Sequence, residues 1–382
     1  VLAVAGAAWA HRPWPTPFAV TTVPAFRQDS TPLAWPATGT AALGAVGDGV
    51  LAVTGTDSPA PMASTAKLIT ALTVLEVAPL ALGQPGPTLT VTPADADLFG
   101  QYLLVNGSEV PLSPGEQMSE YQALQLMLIP SANDVADALA TWFYGSMPRY
   151  LAATNLLVSQ LGLTETVVAG DASGFLPSTV STPDDLVLLG EAALANPVIA
   201  SIADQKSVTL PSGGTVNNTD QLLGVDGIDG IKTGSTNQAG GVFIFAAHHP
   251  VGTQTVTVVG AVMGAPTLSA AFAESRPLLD SAEANFATVT PVEAGEVLAT
   301  YHVAWQKAVQ AVAEHDLSTV AWLGATIQPS LKLQSIHPPL VRNGQVGVVS
   351  IGAGPEASSS PVELRSRIES PPRSLARLFA RR

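Results

Sequence analysis

Pro61-Met62-Ala63-Ser64-Thr65-Ala66-Lys67-Leu68-Ile69-Thr70-Ala71-Leu72-Thr73-Val74-Leu75 combines a structural signal with a chemical one. Leu68, Leu72 and Leu75 recur at i, i+4 and i+7, so the stretch from Ser64 to Val77 predicts a helix. Residues three apart on a helix share a face, which brings the Ser64 hydroxyl within hydrogen-bond reach of the Lys67 amine. Serine is a poor nucleophile until a base takes its proton. A lysine can be that base only where burial or a nearby like charge lowers its pKa. The first turn of a helix also offers unpaired N–H groups suited to an oxyanion. A single S-x-x-K match is weak on its own, so the rest of the chain must supply its partners.

Composition narrows the classes. With 382 residues, 47% hydrophobic and 12% charged, the chain can bury a substantial core and has the length of two domains. A net charge of −14 argues against nucleic acid as a partner. There is no cysteine, hence no disulfide, thiolate metal site or cysteine nucleophile. The six histidines show no H-x-x-x-H spacing, and neither a metal nor a cofactor is called for. Val1 to Ala10 is apolar and ends in Ala8-Trp9-Ala10, the pattern of a signal-peptide remnant, so an exported, extracytoplasmic protein is expected.

The expected architecture is α+β. Residues 1–37, rich in proline, read as a signal remnant and an extended linker. Short apolar runs at Ala41 to Val46 and Val50 to Val53 flank a turn at Gly47-Asp48-Gly49. Helices are expected at Glu120 to Ile129, Asn133 to Phe143 and Pro183 to Ala195, and a further helical stretch around Ser269 to Phe286. Strand character returns at Gly241 to Ala247 and Thr255 to Met263, separated by His248 to Gly252. Early and late strands meeting in one antiparallel sheet with helices on its faces give a domain over 38–287. Residues 288–364 read as a small β-rich domain with a turn at Asn343-Gly344, interrupted by a helix-like spacing at Trp305 to Ala313. Residues 365–382 carry six arginines and one acid, a basic amphipathic tail of charge +5 against −19 for the remainder.

Two more tripeptides follow Ser64 in order. Ser131-Ala132-Asn133 opens a predicted helix after Pro130, and Lys232-Thr233-Gly234 leads into Ser235 and a strand. Taken singly, Ser131 reads as a helix N-cap and Lys232 as a surface lysine beside a turn. All three in this order, using two of only five lysines, mark the motif set of penicillin-binding proteins and class A β-lactamases.

On these strings, with Asp229-Gly230-Ile231 before Lys232, Ala239-Gly240, and Ala261-Val262-Met263-Gly264, the sequence resembles the serine D-alanyl-D-alanine carboxypeptidases, the low-molecular-mass penicillin-binding proteins. The resemblance implies a β-lactamase/transpeptidase-like domain and acylation of Ser64 with Lys67 as its base. It implies proton relay and peptide binding by Ser131 and Asn133, and positive charge from Lys232. Thr233, Gly234 and Ser235 would line the substrate site, and the backbone N–H groups of Ser64 and Ser235 would form an oxyanion hole. The implied partners are peptidoglycan stem peptides ending in D-Ala-D-Ala and β-lactam antibiotics. Apart from the resemblance, the arginines of 365–382 and the spacing of Leu375, Leu378 and Phe379 read either as a segment that folds on an anionic membrane surface or as a solvated, frayed end. One departure stands out: the family's carboxylate-binding arginine falls on Ala271, with Arg276 nearby but expected to face elsewhere. Against the β-lactamase alternative, Glu165 and Glu191 do not fit the E-x-x-L-N pattern. Against a catalytically silent wall-binding module, nothing structural requires Lys67 and Asn133 together with Lys232.

Overall fold

A computed structural model describes residues 14–55, 58–352 and 357–372, in two compact units: Pro32–Ala284, and Asn285–Arg382 joined by Val1–Thr31. In the larger unit a five-stranded antiparallel sheet comprises β1 (Thr40–Ala45), β2 (Gly49–Thr54), β3 (Ile228–Thr236), β4 (Gly240–Val251) and β5 (Gln254–Ala265). Its order is β3-β4-β5-β1-β2, so the early hairpin joins the late strands through β5 and β1, with Val258 opposite Ala45 and Met263 opposite Thr40. The turn between β1 and β2 uses Gly47 (φ +93°) and Gly49 (φ +67°), as that hairpin requires. β4 and β5 run further than their apolar cores suggest: His248, His249 and Pro250 continue the ladder to a tight turn at Gly252, where φ is +63°.

Helices cover the sheet and build a second layer of core. They are α1 (Ala66–Val77), α2 (Pro93–Leu104), α3 (Glu120–Leu128), α4 (Asn133–Tyr144), α5 (Met147–Gln160), α6 (Pro183–Ala195), α7 (Pro197–Ala203) and α8 (Leu268–Glu283). The helix read over Ser64 to Val77 is present from Ala66, after a 3₁₀ turn at Ala63–Thr65. Nine of its side chains are buried, from Ala66 and Lys67 through Leu75, while Leu72 is only partly covered. Burial on this many sides places α1 at the centre of the unit, with Lys67, Thr70 and Thr73 among the enclosed side chains. Packing against other helices and the sheet thus seals the Lys67 side of α1 from water.

The second unit contains a six-stranded sheet in the order Phe18–Thr21, Val297–His302, Val309–Ala313, Ser358–Leu364, Gln345–Ile351, Ser330–Leu333. Three readings change here. The stretch 14–31, expected as linker, contributes Phe18–Thr21 paired to Val297–His302, and Phe26–Arg27 paired to Thr326–Ile327. The helix-like spacing at Trp305 to Ala313 is a strand from Val309, because Val309, Ala311 and Ala313 alternate inward with Gln310 outward. Residues 365–372 are part of this unit: Ile368 is buried and exchanges backbone hydrogen bonds with Leu340. The signal remnant at Val1 to Ala10, and the tail residues Leu375, Leu378 and Phe379, lie outside the described residues.

Candidate active site

Ser64 sits in a single 3₁₀ turn, Ala63–Thr65, immediately before α1. Ala63 adopts φ +48°, a left-handed conformation that aims the turn. Lys67 Nζ lies 2.7 Å from Ser64 Oγ, 2.6 Å from Asn133 Oδ1 and 3.2 Å from the Ser173 carbonyl. An ammonium donates to all three. A neutral amine keeps two donors for Asn133 and Ser173, and turns its lone pair to accept the Ser64 O–H. The amine is fully buried, and that burial is the main reason its pKa falls to about 7, against the opposing charges of Asp171, Asp137 and Asp134. The site therefore holds a lysine that can be a base near neutral pH.

The second motif stands at the head of α4. Ser131 adopts φ +67°, and the helix is capped at Ala132 without a side-chain bond, so Ser131 is not the N-cap. Its hydroxyl instead accepts from Lys232 Nζ at 3.0 Å. Asn133 Oδ1 accepts from Lys67, and its backbone N–H donates to the Ser108 carbonyl at 2.8 Å. Nor is Lys232 a surface residue: it is 2% exposed, and burial followed by the Lys67 charge pushes its pKa down while Asp220 opposes. Two amines within electrostatic reach disfavour both being charged, so a counter-ion beside Lys232 favours a neutral Lys67.

β3 supplies the third side of the site. A Cβ on Gly234 would sit 3.0 Å from the Ser64 backbone nitrogen, so the glycine lets the strand approach the nucleophile's turn without pushing it back. Ser235 is exposed at one end of a cleft of about 640 Å³ whose wall includes Asn106, Phe175, Leu176 and Thr267. Thr233 is buried, with its hydroxyl 2.6 Å from that of Thr219. The eight residues singled out in the sequence thus gather at one place.

Several contributors were not foreseen. Asp171 accepts from the Ser173, Phe175 and Leu176 backbone N–H groups and from the Ser173 hydroxyl, fixing the loop whose Ser173 carbonyl meets Lys67. Asp137 accepts from the Ala172 N–H and the Tyr102 hydroxyl, and burial raises its pKa to about 6. Gly174, at φ +71°, lies where a Cβ would be 2.1 Å from the Ala63 carbonyl oxygen. The carboxylates of this shell accept from backbone N–H groups and from the Tyr102 and Ser173 hydroxyls. Glu165 is exposed and Glu191 faces the β1–β2 turn at Gly47. Ala271 is buried in α8, and the Arg276 guanidinium is held by Asp226 at 2.7 Å. No group of three or more metal-ligating side chains gathers among the described residues.

A penicillin-binding fold with a Ser–Lys centre is the class that this geometry defines. Residues 39–267 match the D-alanyl-D-alanine carboxypeptidase family, peptidase family S11, and the chain belongs to that family. It is 30% identical over 211 residues to D-alanyl-D-alanine carboxypeptidase DacC of Escherichia coli K12, covering 55% of this chain and 52% of that protein. It is 28% identical over 268 residues to DacA of the same organism, covering 67% and 64%. The chain thus spans about half to two thirds of the length of these curated relatives. Among solved structures, a D-alanyl-D-alanine carboxypeptidase from Mycobacterium tuberculosis H37Rv superposes with TM-score 0.57 at 29% identity, over 67% of this chain and 95% of that one. Penicillin-binding protein 5 from Haemophilus influenzae shares the fold with TM-score 0.61 at 21% identity, over 89% and 99%.

Proposed function

We propose that the chain is a serine D-alanyl-D-alanine carboxypeptidase, which releases the terminal D-alanine of peptidoglycan stem peptides through an ester on Ser64 and is acylated there by penicillins. The observation that carries this reading is the sealed Lys67 amine, 2.7 Å from Ser64 Oγ, with a pKa brought down to about 7. Neutral Lys67 takes the Ser64 proton as Oγ bonds to the penultimate carbonyl carbon. The oxyanion forms against the backbone N–H groups of Ser64 and Ser235. Removing one such donor typically costs about 3–4 kcal/mol of transition-state stabilisation. As the C–N bond breaks, the proton passes to the leaving D-alanine amine through the Lys67, Ser131 and Asn133 constellation. Water then attacks the ester with Lys67 again as base, and the shortened peptide leaves as its acid. Lys232, Thr233 and Ser235 receive the terminal carboxylate, a role that Arg276, engaged by Asp226, does not fill.

No glutamate takes the class A position, so the penicillin ester should persist. The test is twofold: D-alanine release from a pentapeptide ending in D-Ala-D-Ala, and mass spectrometry of the penicillin adduct. Absence of release, or a stable adduct on a serine other than Ser64, overturns the reading, and rapid multiple turnover of penicillin moves the chain to the β-lactamases.

A second part concerns place. Substrate chemistry and the Val1 to Ala10 pattern support an extracytoplasmic enzyme at the outer face of the plasma membrane. The stretch 373–382 adds four arginines to Leu375, Leu378 and Phe379, a composition suited to an anionic lipid surface. Salt-sensitive sedimentation with anionic vesicles, lost on shortening the chain after Pro372, is the expected result. Equal binding by both forms sinks it.

A further inference from the structure

We infer that Thr219 is a positioning residue for carboxylate recognition, setting the direction of the Thr233 hydroxyl through the hydrogen bond between them. The inference rests on the carboxypeptidase reading above, in which Thr233 receives the terminal carboxylate. The two hydroxyl oxygens are 2.6 Å apart, so one proton lies between them. Each hydroxyl has a single proton to give, and this allows two arrangements. In the first, Thr219 donates to the Ile129 carbonyl and Thr233 donates to Thr219, leaving only lone pairs on Thr233 to face a ligand. In the second, Thr219 donates to Thr233, and the Thr233 proton is released toward the cleft. A carboxylate only accepts, so it selects the second arrangement.

Changing from one to the other is cheap. The Thr219 hydroxyl is 3.4 Å from the Ile129 oxygen, a long contact, and that oxygen also accepts the Thr219 backbone N–H at 3.1 Å. Thr219 itself is fixed from both sides. Asn218 donates to the carbonyls of Ala203 and Gln205, and the Asp220 N–H donates to Asn218 Oδ1. A row running from Thr219 to Thr233 to carboxylate is polarised in one direction, which strengthens its final, charge-assisted bond. With Ala271 where the family's arginine is expected and Arg276 bound to Asp226, hydroxyl donors carry a larger share of this recognition.

The test compares a peptide ending in D-Ala-D-Ala with the same peptide bearing a C-terminal carboxamide, in wild type, Thr219→Val, Thr219→Ser and Thr233→Val, with thermal melting to monitor the fold. Thr219→Val should lower the acid-over-amide preference in kcat/KM by about three- to ten-fold, the worth of one ordinary hydrogen bond. Thr219→Ser should restore it, and the double variant Thr219→Val/Thr233→Val should lose no more preference than Thr233→Val alone. Equal losses on both substrates in Thr219→Val, or an unchanged preference, overturn the inference while a normal loss in Thr233→Val leaves the carboxylate reading standing. An unchanged preference in Thr233→Val, or no hydrolysis of the acid by wild type, overturns that reading and this inference together.

Discussion

In Pro32–Ala284 the buried residues include Lys67, Lys232, Asp134, Asp137, Asp171 and Asp220, whereas the β-rich unit is cored by Leu298, Val309, Val349, Val362 and Leu364 with Asn285 and Ser360 as the buried polar residues among those described. Hiding a charge from water is expensive unless it is paired, hydrogen-bonded or neutralised. The larger unit uses two of these remedies: hydrogen bonds, from backbone N–H groups to Asp171 and from the Tyr102 hydroxyl to Asp137, and neutralisation, through a lowered pKa on Lys67. The β-rich unit buries no charged side chain among the described residues, and hydrogen bonds serve its Asn285 and Ser360 while strand alternation sends apolar side chains inward. The polar interior is therefore where reactivity is made, and the apolar one is where stability is gained at no chemical cost.

The sharpest way to break this contrast is Ser64→Ala, which should abolish penicillin labelling with no change in melting temperature. Residual labelling would mean that the reactive oxygen lies elsewhere. Next comes Lys67→Arg, which replaces a titratable amine by a group that stays charged; acylation should fall by about 10²- to 10⁴-fold. In wild type the acylation rate should rise with pH and level off above about 7, because the neutral amine is the base and its pKa is lowered to about 7. A rate that falls with pH over that range would exclude Lys67 as the base. Leu298→Ala, in the β-rich core, should cost about 2–5 kcal/mol in the denaturant unfolding of that unit. If it slows Ser64 acylation in the still-folded protein, the division of labour drawn above is wrong. Smallest of all, Arg276→Ala breaks an exposed ion pair with Asp226, and should change stability by less than about 1 kcal/mol and leave the acid-over-amide preference unaltered. A lost preference would return Arg276 to the substrate.

Much of the reactive centre was legible because its parts are short strings. Ser64 and Lys67 are three apart, and Ser131 with Asn133 or Lys232 with Thr233 are near neighbours, so spacing alone gives them meaning. Ser173 and Thr219 were not legible: each meets its partner only through the fold, Ser173 on Lys67 across 106 residues, and single serines, threonines and aspartates are too common to stand out. Thr92-Pro93-Ala94-Asp95 did carry a readable signal, a capping box with proline at the first helical position, and it marks α2. The strand at Phe18–Thr21 was hidden by the prolines just before it, Pro13, Pro15 and Pro17, and the one at Val309–Ala313 by two alanines and Gln310, which suit a helix equally well. In both cases pairing partners far along the chain decided the outcome.

β3 is the outer strand of its sheet, and outer strands invite other chains to pair with them. Along this one, the turn bearing Ser64 presses against Gly234 so closely that a methyl group would crowd it. That contact lies on the side-chain face of the strand, where a Cβ would project, and not along its hydrogen-bonding edge. A side chain at residue 234 would push the Ser64 amide and Ala63 outward by a few tenths of an ångström, a small shift placed where the reaction tolerates it least.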